Sequence, residues 1–178
     1  GENTQNQLGD GTDKSKASPV AVQFGGDSTM LGIRDISASD THVLMVTESM
    51  EVMSWGGNEH GQLGSMNKEN RSKAYYVYED EYESILSDVI SVAAGDTHSL
   101  ALTKDGKIYA WGSNSYGQLG ITDATSGKPT GASKSAVAVE LIYANDGSEL
   151  PKFVSIAAGD YFSVALAEDG SVWSWGRN

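Results

Sequence analysis

The residues of this sequence with the clearest chemical potential are aspartate and histidine side chains two positions apart. Asp40 and His42 form one such pair, and Asp96 and His98 form another, at a spacing used in acid–base catalysis and metal binding. A third copy of the stretch has Asp160 but carries phenylalanine in place of the histidine. A chemical role shared by all three copies is therefore excluded. We interpret the aspartates as turn residues and expect each histidine to hydrogen-bond to a neighbouring loop.

The other candidates for chemistry are weaker. His60 is the third and last histidine, and it falls at a position that differs between the copies. The sequence contains no cysteine, which excludes disulfides, thiol catalysis and cysteine-ligated metals. Its glycine-rich stretches match neither a P-loop nor a dinucleotide fingerprint. We therefore predict a non-enzymatic protein that uses no metal or other cofactor.

These stretches belong to a repeat that organises the whole sequence. Gly1, Gly56, Gly112 and Gly176 are equivalent positions, and the steps between them are 55, 56 and 64 residues. Gln-Leu-Gly follows at 7–9, 62–64 and 118–120. We predict one repeat domain over 1–178, with repeating units at about 13–64, 65–120 and 121–178, after residues 1–12 that end an earlier repeat. The motif is interrupted at the same point at both ends, which we interpret as a piece of a longer array.

Each period contains four runs with the composition of short β-strands. The third run is almost continuously apolar, which is typical of a strand buried on both faces. The predicted first strands are 19–24, 74–78 and 136–143, and the second strands are 33–38, 89–94 and 153–158. The third strands are 42–47, 98–103 and 162–167, and the fourth are 51–55, 107–111 and 171–175.

Turn chemistry separates the first copy from the other two. Asp-Gly at 105–106 and 169–170 predicts type I′ hairpin turns between the third and fourth strands. The first copy has Ser49 and Met50 there, and methionine at positive φ is costly, so we expect a different turn. The first copy also has Ser39 where the others have Gly95 and Gly159.

The tryptophans are the next candidates for a binding surface. Trp55, Trp111 and Trp175 recur at one repeat position, which indicates core packing between repeats rather than an exposed aromatic stripe. Trp173 is the exception, because it lies two residues before the repeat tryptophan on the same face of its strand.

Four antiparallel strands that repeat around an axis form the blades of a β-propeller. The run Ala-Ala-Gly-Asp at 93–96 and 157–160, and Trp-Gly-x-Asn-x-x-Gly-Gln-Leu-Gly at 111–120, resemble the regulator of chromosome condensation repeat. The resemblance covers nearly all of the chain outside the loops and implies propellers that usually have seven blades. About three blades of four antiparallel strands then form an all-β, incomplete ring, since a closed ring needs roughly 4–8 blades.

The resemblance implies several activities without selecting one. Nuclear members promote nucleotide exchange on a small GTPase and bind chromatin, and a bacterial member inhibits β-lactamases through rim loops. Neither site has a motif that can be matched residue by residue in this sequence. Nucleotide exchange on a small GTPase therefore remains an alternative, and we expect a bacterial-type member or a fragment of one.

Charge divides the two rims of the predicted propeller. The sequence carries a net charge of −12, which makes nucleic acid and anionic membrane surfaces improbable partners, and no apolar run is long enough for a membrane span. Loops after the first and third strands share one rim, which we call the acidic rim. It holds fourteen acids: Asp27, Asp35, Glu48, Glu51, Glu79, Asp80, Glu81, Glu83, Asp88, Asp105, Asp146, Glu149, Glu168 and Asp169. Its four bases are Arg34, Lys104, Lys107 and Lys152.

We expect the acidic rim to bind a protein partner with a cationic surface. Its most concentrated part mixes tyrosines, which are common at interface hot spots, with acids: Tyr78, Glu79, Asp80, Glu81, Tyr82 and Glu83. The alternatives are that the tyrosines are ordinary strand residues and the acids aid solubility, or that Tyr82 and Trp173 stack on carbohydrate in a cell-wall-binding module.

Three further expectations concern the cellular location, self-association and one long loop. Missing cysteine and Gly/Asp/Asn-rich repeats favour a bacterial protein outside the cell or on its surface, with the cytoplasm as the alternative. Open propeller ends make self-association plausible. The loop 121–134 is expected to be a flexible insertion on the rim opposite the acidic rim.

Overall fold

The computed structural model describes residues 1–26, 32–80, 82–121, 139–140 and 149–178. All regular structure in these residues is β-strand, and they contain no helix that could cross a membrane. The strands are β1 (Ile33–Ala38), β2 (His42–Thr47), β3 (Val52–Gly56), β4 (Arg71–Tyr76), β5 (Val89–Ala94), β6 (His98–Thr103), β7 (Ile108–Gly112), β8 (Val139–Glu140), β9 (Phe153–Ala158), β10 (Phe162–Ala167) and β11 (Val172–Gly176).

The strands form three antiparallel sheets that stand side by side. Their orders are β1-β2-β3-β4, β5-β6-β7-β8 and β9-β10-β11. The first strands of neighbouring sheets contact one another, so β1, β5 and β9 lie along the same edge of the assembly. The predicted second and third strands are confirmed to the residue, and the fourth strands to within one residue at each end. Three sheets arranged in this way leave the ring of blades open.

The pairing of β4 shows that the predicted assignment of strands to blades is wrong. This strand was predicted to open the second period, but it pairs with β3 through Met53 and Tyr76. β8 pairs with β7 in the same way. The sheets therefore do not coincide with the predicted units at 13–64, 65–120 and 121–178. Strands alternate in direction along the chain under either grouping, so the sequence pattern does not reveal where one sheet ends.

The two remaining first strands have different outcomes. The run 19–24 forms only an isolated bridge in which Phe24 lies parallel to Ala74 on β4, so the predicted strand is wrong there. The backbone N–H of Gln23 is instead donated to the carbonyl of Gly9 (2.8 Å). Of the run 136–143, only β8 belongs to the described residues, and the predicted loop insertion after Ile121 lies outside them.

The hydrophobic core lies between neighbouring sheets. Every residue of β2 and β6 is buried, which agrees with their apolar sequences. Leu44 on β2 packs in one cluster with Trp111 of the second sheet, whereas Leu100 on β6 packs with Ala165 of the third. Burying one leucine contributes about 1.5–3 kcal/mol, so these contacts between sheets stabilise both partners.

The third sheet has one face that no described residue of this chain covers. Phe162, Leu166 and Val172 are exposed on this face, Val172 to 69%. The equivalent positions in the second sheet include Leu102 and Ile108, which are buried against the third sheet. The same residue pattern is therefore core in one sheet and surface in the next.

The hairpin turns of the three sheets share one backbone conformation. Met50 has a φ of 63°, close to the 85° and 86° of Gly106 and Gly170. The N–H of Met50 is donated to the carbonyl of Thr47 (2.9 Å), as that of Gly106 is to Thr103 (3.0 Å). The expectation of a different turn in the first copy is wrong. The predicted type I′ turns at 105–106 and 169–170 are wrong as well, because the glycines have a positive φ but Asp105 and Asp169 do not. The flanking strands pair in the same register in all three hairpins, and that register fixes the turn.

A buried asparagine shapes the loop after each tryptophan strand. Asn58 accepts the N–H of Leu63 (3.0 Å) and donates to the carbonyl of Asn67 (2.9 Å). Asn114 accepts the N–H of Leu119 in the same way (3.0 Å). Since a buried amide needs partners for both its donor and its acceptor, these bonds explain why asparagine recurs at this position.

Candidate partner-binding site

The repeated tryptophans join each sheet to the repeat before it. Trp111 donates its indole N–H to the backbone carbonyl of Gln62 (2.8 Å), and the hydroxyl of Ser99 donates to the same oxygen (2.7 Å). In the next copy, Trp175 and Ser163 share the carbonyl of Gln118 (2.9 and 2.8 Å).

The first copy keeps half of this arrangement. Trp55 donates to the carbonyl of Gln7 (3.0 Å), but Val43 stands where the other copies have serine. Trp55 and Trp111 are buried and Trp175 is half-buried. These side chains hold the scaffold together and do not form an exposed stripe.

Both buried histidines belong to the same inter-sheet network. His42 bonds through Nε2 to the hydroxyl of Ser99, and His98 bonds to Ser163, each at 2.9 Å. The partner of Nε2 is thus a strand of the next sheet, and the bond to a loop expected from the sequence forms only at His42, through Nδ1 and Ser39. Burial lowers the pKa of His42 to about 3 and that of His98 to about 4, so both rings are neutral at pH 7.

The glycines before these rings make room for them. A β-carbon on Gly95 would overlap with the imidazole of His98, and one on Gly159 would overlap with the ring of Phe162. In the first copy Ser39 occupies this position, and its hydroxyl lies 2.9 Å from Nδ1 of His42. Asp96 and Asp160 follow the glycines at the corner between the first two strands of their sheets. All of these residues lie on the rim opposite the acidic rim.

Backbone hydrogen bonds bring the loops of the acidic rim together. The N–H of Lys104 is donated to Asp88 (2.8 Å), joining the tip of one hairpin to the β4–β5 connection. Phe153 donates to Gly106 (2.9 Å), and Glu168 donates to Lys152 (2.9 Å). The hairpin tips and the connections between sheets therefore share this rim.

Several acids of the rim have partners within the chain. The carboxylate of Asp35 accepts Ser91 (2.8 Å) and the N–H of Val92 (3.0 Å), which places it between two sheets. Asp88 pairs with Lys104 at 2.6 Å, on an exposed surface. Fewer carboxylates are therefore available to a partner than the sequence count suggests.

Hydrogen bonds also engage the acids of the hairpin turns. The bond from Thr103 lowers the pKa of Asp105, and the bond from Ser171 lowers the pKa of Asp169. These carboxylates remain ionised and contribute to the field of the rim, but their geometry is set by the turn.

The segment 78–83 begins a loop that is anchored at both sides. Val77 and Leu86 are fully buried in the cluster between the first and second sheets. The N–H of Leu86 is donated to Val77 (2.9 Å), and Tyr78 pairs with Ile85 in an antiparallel bridge. Glu79 donates its N–H to the carbonyl of Ser84 (2.8 Å). The loop is therefore fixed to the core by its own backbone.

Asp80 organises the tip of this loop. Its carboxylate accepts the N–H of Tyr82 (2.9 Å) and both the N–H (3.0 Å) and the hydroxyl (2.6 Å) of Ser84. The bond from the Ser84 hydroxyl is the main cause that lowers the pKa of Asp80, whereas burial and the neighbouring Asp80 raise the pKa of Glu79. Tyr82 is 82% exposed at the tip, and Glu83 takes a positive φ of 66° beside it. Glu81 lies outside the described residues.

A second surface cluster was not found by the sequence reasoning. The rings of Tyr116 and Tyr161 lie 5.4 Å apart, and the guanidinium of Arg177 lies over both, at 5.0 and 5.6 Å. The residues come from different loops, so only their location in variable positions of the repeat could have drawn attention to them. The described residues contain no group of side chains that could hold a metal ion.

Comparison with known proteins identifies the repeat. Two family models match this chain, and both are described as "Regulator of chromosome condensation (RCC1) repeat". One matches residues 1–46 and 51–102, and the other matches residues 33–62, 89–118 and 153–178. E3 ubiquitin-protein ligase HERC2 of Mus musculus is 30% identical over 182 residues, covering 100% of this chain and 3% of that protein. Guanine nucleotide exchange factor SRM1 of Saccharomyces cerevisiae is 30% identical over 146 residues, covering 81% of this chain and 30% of that protein.

A solved structure agrees with these matches. The crystal structure of Prp20p from Saccharomyces cerevisiae superposes with a TM-score of 0.58 at 28% identity, covering 79% of this chain and 32% of that one. The chain thus spans about a third or less of each of these relatives. The predicted all-β propeller fold is confirmed by this likeness together with the three antiparallel sheets. The chain belongs to the regulator of chromosome condensation (RCC1) repeat family.

Proposed function

We propose that this chain is a non-enzymatic protein-interaction scaffold whose acidic rim binds a cationic protein surface, with the segment 78–83 as the main contact. The observation that carries the proposal is Tyr82, which is 82% exposed at the tip of a loop held by Asp80 and surrounded by acids. An exposed aromatic side chain on an ordered loop costs little conformational entropy when it binds.

The electrostatics of the loop favour a basic partner. Glu79, Asp80 and Glu83 lie within a few residues of Tyr82, and the loop itself contains no lysine or arginine. Clustered charge of one sign speeds encounter with a complementary surface and selects between partners. Tyrosine supplies the apolar contact area that charged residues lack.

The relatives support a partner-binding role in general. The structure of Prp20p is described with its binding properties to Gsp1p and histones. SRM1 is a guanine nucleotide exchange factor, which acts on another protein. The ligase activity named for HERC2 belongs to a protein of which this chain spans 3%, so we do not extend it to the repeat.

The test is charge reversal on the loop. The variant Glu79→Lys, Glu81→Lys, Glu83→Lys is compared with Glu2→Lys, Glu59→Lys, Glu69→Lys, which changes net charge equally but outside the acidic rim. Binding of a fluorescent octalysine peptide is measured by anisotropy at two salt concentrations. We expect at least tenfold weaker binding and a smaller salt dependence for the loop variant alone. An equal loss in both variants would show that the loop is not the site.

The carbohydrate alternative has less support. Trp173 is half-buried, packs edge-on against Phe153 at 6.3 Å between ring centres, and donates its N–H to Ser171 (2.9 Å). Its ring is therefore a poor stacking platform for a sugar. Tyr82 alone would remain for that role.

Self-association is a separate proposal that rests on the third sheet. We infer that a second copy can cover Phe162, Leu166 and Val172, because the equivalent face of the second sheet is covered by another blade. A location outside a bacterial cell remains a prediction from composition.

A further inference from the structure

The first and third sheets carry apolar faces that complement one another. On the first sheet, Ile33 and Ile36 of β1 are 42% and 61% exposed. Their equivalents on β5, Val89 and Val92, are buried in the cluster that also contains Leu44 of the first sheet. β1 therefore presents the face that receives a preceding sheet.

The exposed face of the third sheet is the other half of this contact. Phe162, Leu166 and Val172 lie on the face that, in the first and second sheets, packs against the next sheet. The chain makes this contact twice internally, and its first and third sheets carry the two halves of one more such contact. Because the second sheet lies between them, these halves can meet only between two copies of the chain.

One pair of positions is matched across this further contact. Inside the chain, a histidine on one sheet bonds to a serine on the next, as His98 does to Ser163 (2.9 Å). The third sheet has Phe162 at the histidine position, and the first sheet has Val43 at the serine position. A valine would leave a buried histidine N–H unpaired, whereas phenylalanine has no N–H to satisfy. The two exceptions to the polar pair therefore fit one another.

Residues 1–24 occupy the place of the segment that ends a preceding sheet. Trp55 donates to the carbonyl of Gln7 in the way that the later repeat tryptophans donate to their own glutamine carbonyls. Val22 packs against the cluster that contains Trp55 on the first sheet. The three strands that would precede this segment in its sheet can be supplied by β9–β11 of a second copy.

The register of this segment also provides a strand for the third sheet. The N–H of Gln23 is donated to Gly9 (2.8 Å). The N–H of Tyr78, which follows β4, is donated to Gly64 in the same way (3.0 Å), so the run 19–24 is equivalent to β4. β4 pairs with β3 and β8 pairs with β7, but no described residue pairs with the outer edge of β11. The run 19–24 of a second copy therefore lies where it can complete the third sheet.

We propose that two copies of this chain join head to tail, so that β9–β11 of each copy pack on the first sheet of the other and pair with its run 19–24. The arrangement rests on the self-association inferred above for the third sheet, and it does not use the acidic rim. Two copies supply six sheets, and a closed propeller needs roughly 4–8 blades, so the two contacts close a ring. A head-to-tail contact stops growing when its ring closes.

Two variants, each with one blocked face, test the direction of the contact. Ile33→Lys with Ile36→Lys blocks the first sheet, and Leu166→Lys with Val172→Lys blocks the third, all at exposed positions. Sedimentation velocity at high protein concentration measures each variant alone and an equal mixture of the two. We expect the original protein to be a dimer and each variant to be a monomer. The mixture should form dimers again, because the intact third sheet of one variant meets the intact first sheet of the other.

The outcomes separate this arrangement from self-association in general. If the variant blocked on the first sheet still dimerises, third sheets pair with each other, which overturns the head-to-tail contact and leaves the self-association of the third sheet standing. A monomeric original protein would overturn both. A mixture that stays monomeric would overturn the head-to-tail contact, and species larger than two copies would overturn the closed ring.

A paired substitution tests the match between the two ends. Phe162→His alone places a histidine against Val43 of the second copy, and dimerisation should weaken about tenfold. Adding Val43→Ser recreates the pair found inside the chain, so most of the lost affinity should return. The control adds Val20→Ser instead, at a position whose equivalent, Tyr75, stays 37% exposed within its sheet, and affinity should not return. Equal affinities of the two double variants would overturn the match.

Discussion

The indole N–H of Trp111 donates a 2.8 Å hydrogen bond to the backbone carbonyl of Gln62, which belongs to the preceding repeat. The hydroxyl of Ser99 donates to the same oxygen at 2.7 Å and accepts from His42 of the sheet before it. One carbonyl thus joins two sheets through two donors. The residues of this chain that look most catalytic are therefore members of an inter-sheet network.

Loss of the Ser99 hydroxyl should cost more stability than loss of a comparable buried hydroxyl. Ser99→Ala leaves the buried N–H of His42 unpaired, so we expect a loss of about 2–3 kcal/mol in the free energy of unfolding. Ser54→Ala is the control, because Ser54 is equally buried and also donates to a carbonyl, that of Leu63 (2.6 Å). It should cost about 1 kcal/mol. Urea denaturation measures both.

A double-mutant cycle tests the same bond. His42→Phe removes the ring N–H that the hydroxyl of Ser99 accepts. In that background Ser99→Ala should cost at least about 1 kcal/mol less than in the original protein. Strict additivity would contradict the network.

Stability should fall as the pH drops below about 6.5, the ordinary pKa of histidine. The folded-state pKa values of His42 and His98 are lowered to about 3 and about 4, so the unfolded chain binds protons first. The stabilisation is present above pH 6.5 and is lost as pH falls toward these values. The loss is on the order of 2–3 kcal/mol per histidine by pH 4.5.

Unfolding by urea at pH 7.5, 5.5 and 4.5 measures this dependence. In the control variant His42→Phe, His98→Phe, most of the fall between pH 7.5 and 4.5 should disappear. If the double variant loses stability as steeply as the original protein, groups other than these histidines are responsible.

Relief of the positive φ at Met50 should stabilise the first hairpin. Met50→Gly is expected to raise the free energy of unfolding by up to about 1 kcal/mol, since a left-handed conformation strains any residue with a β-carbon. Gly170→Met is the reciprocal change, at a position where a β-carbon would meet open space, and it should destabilise by a similar amount. Thermal unfolding of the two variants checks the sign, and effects of the same sign would refute this explanation.

Truncation of Tyr82 should weaken partner binding without affecting the fold. Tyr82→Ala removes an 82% exposed ring, so the melting temperature should stay unchanged while affinity for the octalysine probe falls about tenfold. Tyr116→Ala removes an exposed tyrosine on the opposite rim and should leave that affinity unaltered. A similar loss in both variants would point to a general effect of exposed tyrosines.

Charge on the open face of the third sheet should prevent self-association. Leu166→Lys with Val172→Lys places two cations where an apolar contact is expected, and sedimentation velocity should then show a lower average mass at high concentration. Val20→Lys, at an exposed position elsewhere, should have no effect. If the original protein sediments as a monomer at all concentrations, the proposed contact does not form.

The sequence by itself determined the repeat, the strand type and the register. Hydrophobic runs at 42–47 and 98–103 must be buried on both faces, and a tryptophan recurs at the end of each fourth strand. These features depend on local pattern and recur from copy to copy. They were therefore readable from Trp111, Asp96 and their equivalents alone.

Only the tertiary structure decided which strands share a sheet and which charges are free. β4 pairs with β3 across a loop, and Asp35 bonds to the next sheet, because hydrogen-bonding edges meet in three dimensions rather than along the chain. The same reason explains Met50, whose turn is set by the strands beside it. The aromatic cluster at Tyr161 is formed by loops of separate blades, so no local sequence pattern could have predicted it.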